Sequence, residues 1–330
     1  MNRTKLLKNI TAGILLGAVL LSGCAKKDEG EKKIKIGVTQ IVEYSALDEN
    51  RDGFIKALED NGYKDGEKIE IDFQNAQGDL PTAQMIAKNF VSQKKDLIFA
   101  ISTPSAQGAY NATKEIPILI SAITDPVSAG LAEALEKPNT NVSGTSDYIP
   151  VNKQLDLIKL LVPEAKNIGV LYNTSEVNSQ VQVDELKDQC KKYGYSVVEV
   201  GVSSTNEVNN AVTSLVNKID VLYVPTDQLV VSSMPIIVEK TIGNKIPVIA
   251  SESGSVELGA LATQGINYYR LGYKTGEMAV KVLQGEDISK MPIEISNELD
   301  IILNEDTLEA LSIEKPQNDN ISYIKTKQAK

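Results

Sequence analysis

The 330 residues contain no histidine and no tryptophan, two cysteines and three arginines. Without histidine there can be no Ser-His-Asp or Cys-His triad, and no His-ligated zinc or haem. Cys24 and Cys190 cannot build the disulfide framework of a small secreted scaffold. Carboxylates alone are left as metal ligands, so neither a metal nor a cofactor is expected. Arginine is confined to Arg3, Arg51 and Arg270, against 31 lysines. An anionic ligand must therefore be held largely by other donors. Acid outweighs base, 44 residues to 34, for a formal net charge of −10. That excludes the basic stripe of a nucleic-acid surface. No GxxxxGK[ST] loop and no GxGxxG after a strand is present, so nucleotides are not expected either. What remains is a globular chain, 42% hydrophobic and long enough for two domains of ordinary size.

The amino terminus reads as an address. Arg3, Lys5 and Lys8 precede an apolar run from Ile10 to Leu21 that ends in Leu21-Ser22-Gly23-Cys24. A basic opening and a dozen apolar residues form a secretory signal, too short for a comfortable permanent span. The LSGC tetrapeptide resembles a bacterial lipobox, which implies a signal peptide over 1–23, lipidation of Cys24, and anchorage by acyl chains. The charged stretch 24–33 reads as a flexible tether.

Beyond the tether, strand and helix patterns alternate. Asp96-Leu-Ile-Phe-Ala-Ile-Ser102 is nearly continuous and apolar, as in a parallel strand buried on both faces. Val151, Leu155, Ile158 and Val162 follow helical spacing. The pattern then repeats itself. Ile36-Gly37-Val38 is followed 25 residues after Gly37 by Gly62, and Ile168-Gly169-Val170 is followed 25 residues after Gly169 by Gly194. Asp96 heads one strand and Asp220 another, and each is followed by an Ile-Pro pair and a strand ending in serine. Two α/β lobes of one design are the economical reading.

Paired doubly wound lobes point the carboxyl ends of their strands at a shared cleft, where ligands bind. The polar residues at those ends are the site candidates: Tyr44, Ser102, Thr103, Ser105, Ala106, Thr124, Asp125, Asn178, Ser179, Thr226, Asp227 and Glu252. Each one, taken singly, is as well explained as a helix cap. Thr103-Pro104-Ser105 stands out, because a buried strand leads there into a helix start with proline in its first turn. Backbone N–H groups and hydroxyls at a positive helix end can hold a carboxylate without arginine. Asp227, with Glu252, is the expected counter-charge for an ammonium, so the pair describes an α-amino acid. A carboxylate-based hydrolase using Asp227 and Glu252 is the enzymatic alternative, and no catalytic residue is assigned.

The body resembles the bacterial ABC-transporter substrate-binding lipoproteins of the tryptophan/tyrosine-type group. The resemblance rests on Val42-Glu43-Tyr44-Ser45-Ala46-Leu47-Asp48 with Arg51-Asp52-Gly53-Phe54, Thr103-Pro104-Ser105-Ala106-Gln107, Thr124-Asp125-Pro126-Val127, Asn141-Val142-Ser143-Gly144, Val224-Pro225-Thr226-Asp227, and Gly259-Ala260-Leu261-Ala262-Thr263 before Tyr268-Tyr269. It spans about residues 34–312. Tyr44 stands where relatives often carry histidine. The resemblance implies the periplasmic-binding-protein type I fold, with two Rossmann-like lobes joined by a hinge and ligand in the cleft. The expected division is 34–147 plus 268–288 for the N-terminal lobe and 148–267 plus 289–312 for the C-terminal lobe, with 313–330 a frayed tail. It also implies a non-enzymatic monomer on the outer face of the cell membrane, Gram-positive rather than periplasmic, serving an ABC permease and its ATPase. The implied ligand is an aromatic amino acid, tyrosine ahead of tryptophan and phenylalanine, with Gln40, Glu43 or Asn178 reading its hydroxyl. A sensing lipoprotein that feeds a receptor would look the same in sequence.

Overall fold

The computed structural model describes residues 33–327, so the predicted signal peptide, Cys24 and nearly all of the tether lie outside the described residues. Strand β8 (Val221–Val224) shows how the layers form. Its side chains alternate between two cores, Val221 and Tyr223 toward one and Leu222 and Val224 toward the other, and all four are buried. A strand apolar at every position needs helices on both faces, which is what a parallel sheet between helical layers provides.

Two sheets result. The N-terminal lobe holds six parallel strands in the order β11-β5-β4-β3-β1-β2: β1 (Ile34–Gln40), β2 (Ile69–Asn75), β3 (Leu97–Ile101), β4 (Ile118–Ile123), β5 (Val142–Ser146) and β11 (Glu294–Ile295). The C-terminal lobe holds seven, β13-β12-β10-β9-β8-β6-β7, adding β6 (Asn167–Asn173), β7 (Ser196–Val202), β9 (Val248–Ala250), β10 (Ala262–Gly265), β12 (Asp300–Asn304) and β13 (Ile321–Ile324). β12 pairs antiparallel with β10.

The duplicated pattern has a physical counterpart in each lobe. Asp96 accepts the Lys35 N–H at 2.8 Å, and Asp220 accepts those of Lys166 and Asn167 at 2.9 and 2.8 Å, so both tie down the start of the neighbouring strand. A Cβ at Gly37 would meet the Phe90 ring at 2.6 Å, and one at Gly169 would meet Ile219 at 2.6 Å. The lack of a side chain is what lets each strand lie close beneath its helical layer. Gly62 and Gly194 both adopt positive φ just after the helix that follows the first strand of their lobe's sheet, where a left-handed residue closes the helix end.

The chain passes between the lobes three times. It crosses from β5 to α4 (Val151–Leu161), from β10 to α10 (Tyr268–Leu283), and from β11 to β12. Helix α10 packs on the N-terminal lobe against α1 (Ser45–Asp60), and glycines let the two helices touch. Two parts of the expected division need correction. Met291 and Ile293 belong to the N-terminal core and β11 to its sheet, so that lobe keeps the chain up to 295 rather than 288. Residues 313–327 are not frayed, since β13 pairs with β12 and Ile321 enters the C-terminal core. A polar stretch conceals this short strand, but the exposed edge of β12 supplies its hydrogen-bond partners.

Candidate functional site

The cleft is built where β3, β4, β6, β8 and β9 end and helices begin. At the end of β3, Ser102 holds φ +77°, a left-handed conformation that a serine adopts only when its surroundings impose it. This kink launches α3 (Thr103–Ala112) with Pro104 in its first turn. Ser102, Thr103, Ser105 and Ala106 are all buried, and neither the Ser102 nor the Ser105 hydroxyl has a hydrogen-bond partner among the described residues. Two buried, unpaired hydroxyls beside a helix N-terminus are chemically suited to donate to an anion. Ala122, at φ +57°, bends β4 in the same way before Thr124.

The lobes meet over this site. Thr124 Oγ1 of the N-terminal lobe lies 2.9 Å from Thr226 Oγ1 of the C-terminal lobe. Tyr44, half-buried at the start of α1, packs against cores on both sides, and a Cβ at Gly254 would sit 3.4 Å from its ring. Burial raises the Tyr44 hydroxyl well above its usual range, and the charges of Glu252, Asp147 and Glu176 add to the effect. A groove of about 520 Å³ opens between Ile41, Val42, Leu80 and Pro104 on one lobe and Asn173, Glu176, Gln228 and Leu229 on the other.

Several expected residues prove to be occupied elsewhere. Asp227 caps α7 (Gln228–Ser232) through the Val230 N–H at 2.9 Å, and also accepts the Asn173 N–H at 2.5 Å and the Ser179 hydroxyl at 2.6 Å. This consumes Ser179 as well. Glu252 caps α9 (Ser253–Glu257), accepting the N–H groups of Gly254 and Ser255 at 2.5 and 2.7 Å and the Ser255 hydroxyl. Both oxygens of each carboxylate are taken up by hydrogen bonds from neighbouring backbone and hydroxyls. Asp125 folds its own turn, accepting from Val127, Ser128 and the Ser128 hydroxyl. Gln40 gives its amide to Val42 O and Asp48, and Glu43 is exposed. Asn178 is different. Its Nδ2 donates to Thr226 O at 2.6 Å, while its buried Oδ1 accepts nothing among the described residues.

Residues absent from the sequence reading complete the site. Glu176 is buried between Asn173, Asn178 and the Gln228 N–H. Burial, then the Asp227 charge, pushes its carboxyl up to about 7, and burial brings Glu252 to about 7 as well. Gln182 organises Thr226, Tyr223 and Ser251. Asp147, just after β5, is buried and accepts the Tyr268 hydroxyl at 2.8 Å. The signal for Asp147 was its place after a strand, but Val142-Ser-Gly-Thr-Ser146 is too polar to read as one. Its hydroxyls are satisfied internally, Ser143 on Met291 O and Thr145 on Ser121 and Thr275.

Known proteins share this sequence and fold. Residues 35–327 match the family model described as ABC transporter substrate binding protein. The chain is 58% identical to a "Tyrosine-binding protein" of Clostridioides difficile strain R20291 over 333 aligned positions, 98% of this chain and 96% of the relative. Among solved structures, the ligand-free, open form of a substrate binding protein with adhesive properties from Clostridium difficile is 67% identical, with a TM-score of 0.71, covering 89% of this chain and 99% of that one. The ABC domain in complex with L-Trp from Streptococcus pneumonia is 38% identical yet superposes better, with a TM-score of 0.84 over 87% of this chain and 97% of that one. The chain belongs to the ABC transporter substrate binding protein family, and its two lobes have the periplasmic-binding-protein type I fold.

Proposed function

We propose that this chain is the extracytoplasmic receptor of an ABC importer for an aromatic amino acid, with tyrosine ahead of tryptophan and phenylalanine. It binds and delivers; it does not catalyse. The observation that carries the reading is the set of unpaired buried groups between the lobes. Ser102 and Ser105 offer donors at the start of α3, and Asn178 Oδ1 offers an acceptor on the opposite lobe. A zwitterion with a phenolic hydroxyl supplies a partner to each kind. The Tyr44 ring between the lobes supports an aromatic side chain, since edge-on or stacked rings add about 0.5–1.5 kcal/mol beyond burial. The near-full-length tyrosine-binding relative favours the same ligand.

Closure of the lobes over the ligand would present a closed surface to the permease. The body is tethered outside the cell membrane through lipidated Cys24, and Cys24→Ala should release the chain or block its processing, as membrane fractionation would record. A thermal-shift screen of the twenty amino acids tests the ligand. At a hundredfold excess over Kd, a ligand stabilises by about 2.7 kcal/mol, so tyrosine should give the largest shift. Branched aliphatic amino acids outperforming every aromatic one would refute the assignment.

A further inference from the structure

An α-ammonium enclosed between the lobes needs a carboxylate with an oxygen to spare. Four buried carboxylates belong to the cleft: Asp147, Glu176, Asp227 and Glu252. Three are committed. Both oxygens of Glu176 accept side-chain amides or a backbone N–H, and Asp227 and Glu252 are bound to backbone N–H groups and hydroxyls at both of theirs. In Asp147, Oδ2 accepts the Tyr268 hydroxyl at 2.8 Å, and Oδ1, in a residue 3% exposed, has no hydrogen-bond partner among the described residues.

The surroundings of Asp147 suit a cation. The Thr124 hydroxyl lies beside it, yet that hydroxyl also faces Thr226 Oγ1 at 2.9 Å and has a single proton to give. Tyr44 and Tyr268 both feel the charge of Asp147, and among the described residues no lysine or arginine pairs with it. Burial raises its carboxyl above the usual range, and hydrogen bonds from Tyr268, Thr124 and its own backbone offset this only in part.

We propose that Asp147, in the first crossover between the lobes, is the counter-charge for the ligand's α-ammonium, and that the Tyr268 hydroxyl, at the second crossover, positions it. This assignment rests on the reading of the ligand as an α-amino acid and replaces Asp227 in that role. It also places the ammonium contact on the two segments that connect the lobes, so a bound ligand ties the hinge together.

Isothermal titration of the full chain with L-tyrosine and with 3-(4-hydroxyphenyl)propanoate, which lacks the ammonium, separates the possibilities. Asp147→Asn keeps the shape and the bond from Tyr268. It should weaken L-tyrosine at least a hundredfold and leave the deaminated acid within threefold of wild type. Tyr268→Phe should show the same selective loss at about tenfold. Because Asn removes an uncompensated buried charge, the ligand-free melting temperature of D147N should equal or exceed that of wild type, which guards against misfolding. Equal loss of both ligands, or retention of L-tyrosine within threefold, overturns the proposal. If wild type prefers another amino acid, the aromatic reading fails while the same comparison, with that ligand and its deaminated analogue, still decides the role of Asp147. Binding of no α-amino acid at all overturns both.

Discussion

Gly272→Ala sets two effects of opposite sign against each other. In an isolated helix the change gains about 1 kcal/mol of helix propensity. In this fold, α10 crosses α1 so closely that a Cβ at Gly272 would lie 1.8 Å from the Asn50 carbonyl oxygen and 2.6 Å from its carbon. Real Cβ contacts essentially never fall below 3.0 Å, so the helices must separate by about 1.2 Å at this point. The obstacle is backbone and cannot swing aside. Overpacking of this kind costs about 1–3 kcal/mol, occasionally more, and a gap of even about 0.5–1 Å forfeits a quarter to a half of each dispersion contact along the crossing. Asn50 also holds Ser121 Oγ at 2.8 Å and Tyr268 O at 3.2 Å. The displaced helix would therefore drag the second crossover with it. We expect a net loss of roughly 2 kcal/mol, a fall of about 3 °C in melting temperature for a body of about 300 residues, and weaker ligand binding. Gly276→Ala, whose Cβ would meet Ala57 Cβ and Phe54 O at 2.6 Å, should cost less, and Gly243→Ala, with open space around it, should be neutral or stabilising. Calorimetry of the three variants is the assay. If G272A melts at or above wild type, helix propensity outweighs the crossing and the reasoning fails.

The ligand-free protein should be more stable at pH 5 than at pH 8. Glu252 titrates near 7 in the fold against 4.5 in an unfolded chain, so the folded state holds more protons between these values. The stability this confers is complete below pH 4.5 and disappears as pH rises through 7, on the order of 3 kcal/mol for such a shift. Melting curves of Glu252→Gln should show a flatter pH dependence, and an unchanged slope would contradict the assignment. Thr226→Val removes the hydroxyl contact with Thr124 across the lobes. A neutral hydrogen bond of about 1 kcal/mol corresponds to roughly fivefold weaker binding. Titration calorimetry should find that loss, the ligand-free chain should also melt lower because the buried Gln182 amide loses an acceptor, and unaltered affinity would show that the contact does not hold the lobes closed.

Local pattern was enough to identify the apolar strands from Ile34 to Ala250 and most of the helices between them, because buried runs such as Leu97–Ile101 fit the middle of a parallel sheet. The duplication was equally legible, since Gly37 and Gly169 answer the same steric demand in each lobe. So was the helix start at Thr103, because Ser-Thr-Pro-Ser after a buried strand has a local meaning. Strand β5 was not legible. Its serines and threonines lie buried through bonds to Ser121, Thr275 and Met291, residues far away in the chain. The roles of the cleft carboxylates were undecided for the same reason. Asp227, Glu252 and Asp147 all stand just after strands, and sequence cannot tell a carboxylate that is satisfied by its own helix from one that is not. Tertiary structure decides it by spending Asp227 on Val230, Asn173 and Ser179 while leaving Asp147 Oδ1 unpaired beside the crossover. A hydrogen bond has to be counted in space, and the partners of these groups come from other strands and from the far side of the hinge.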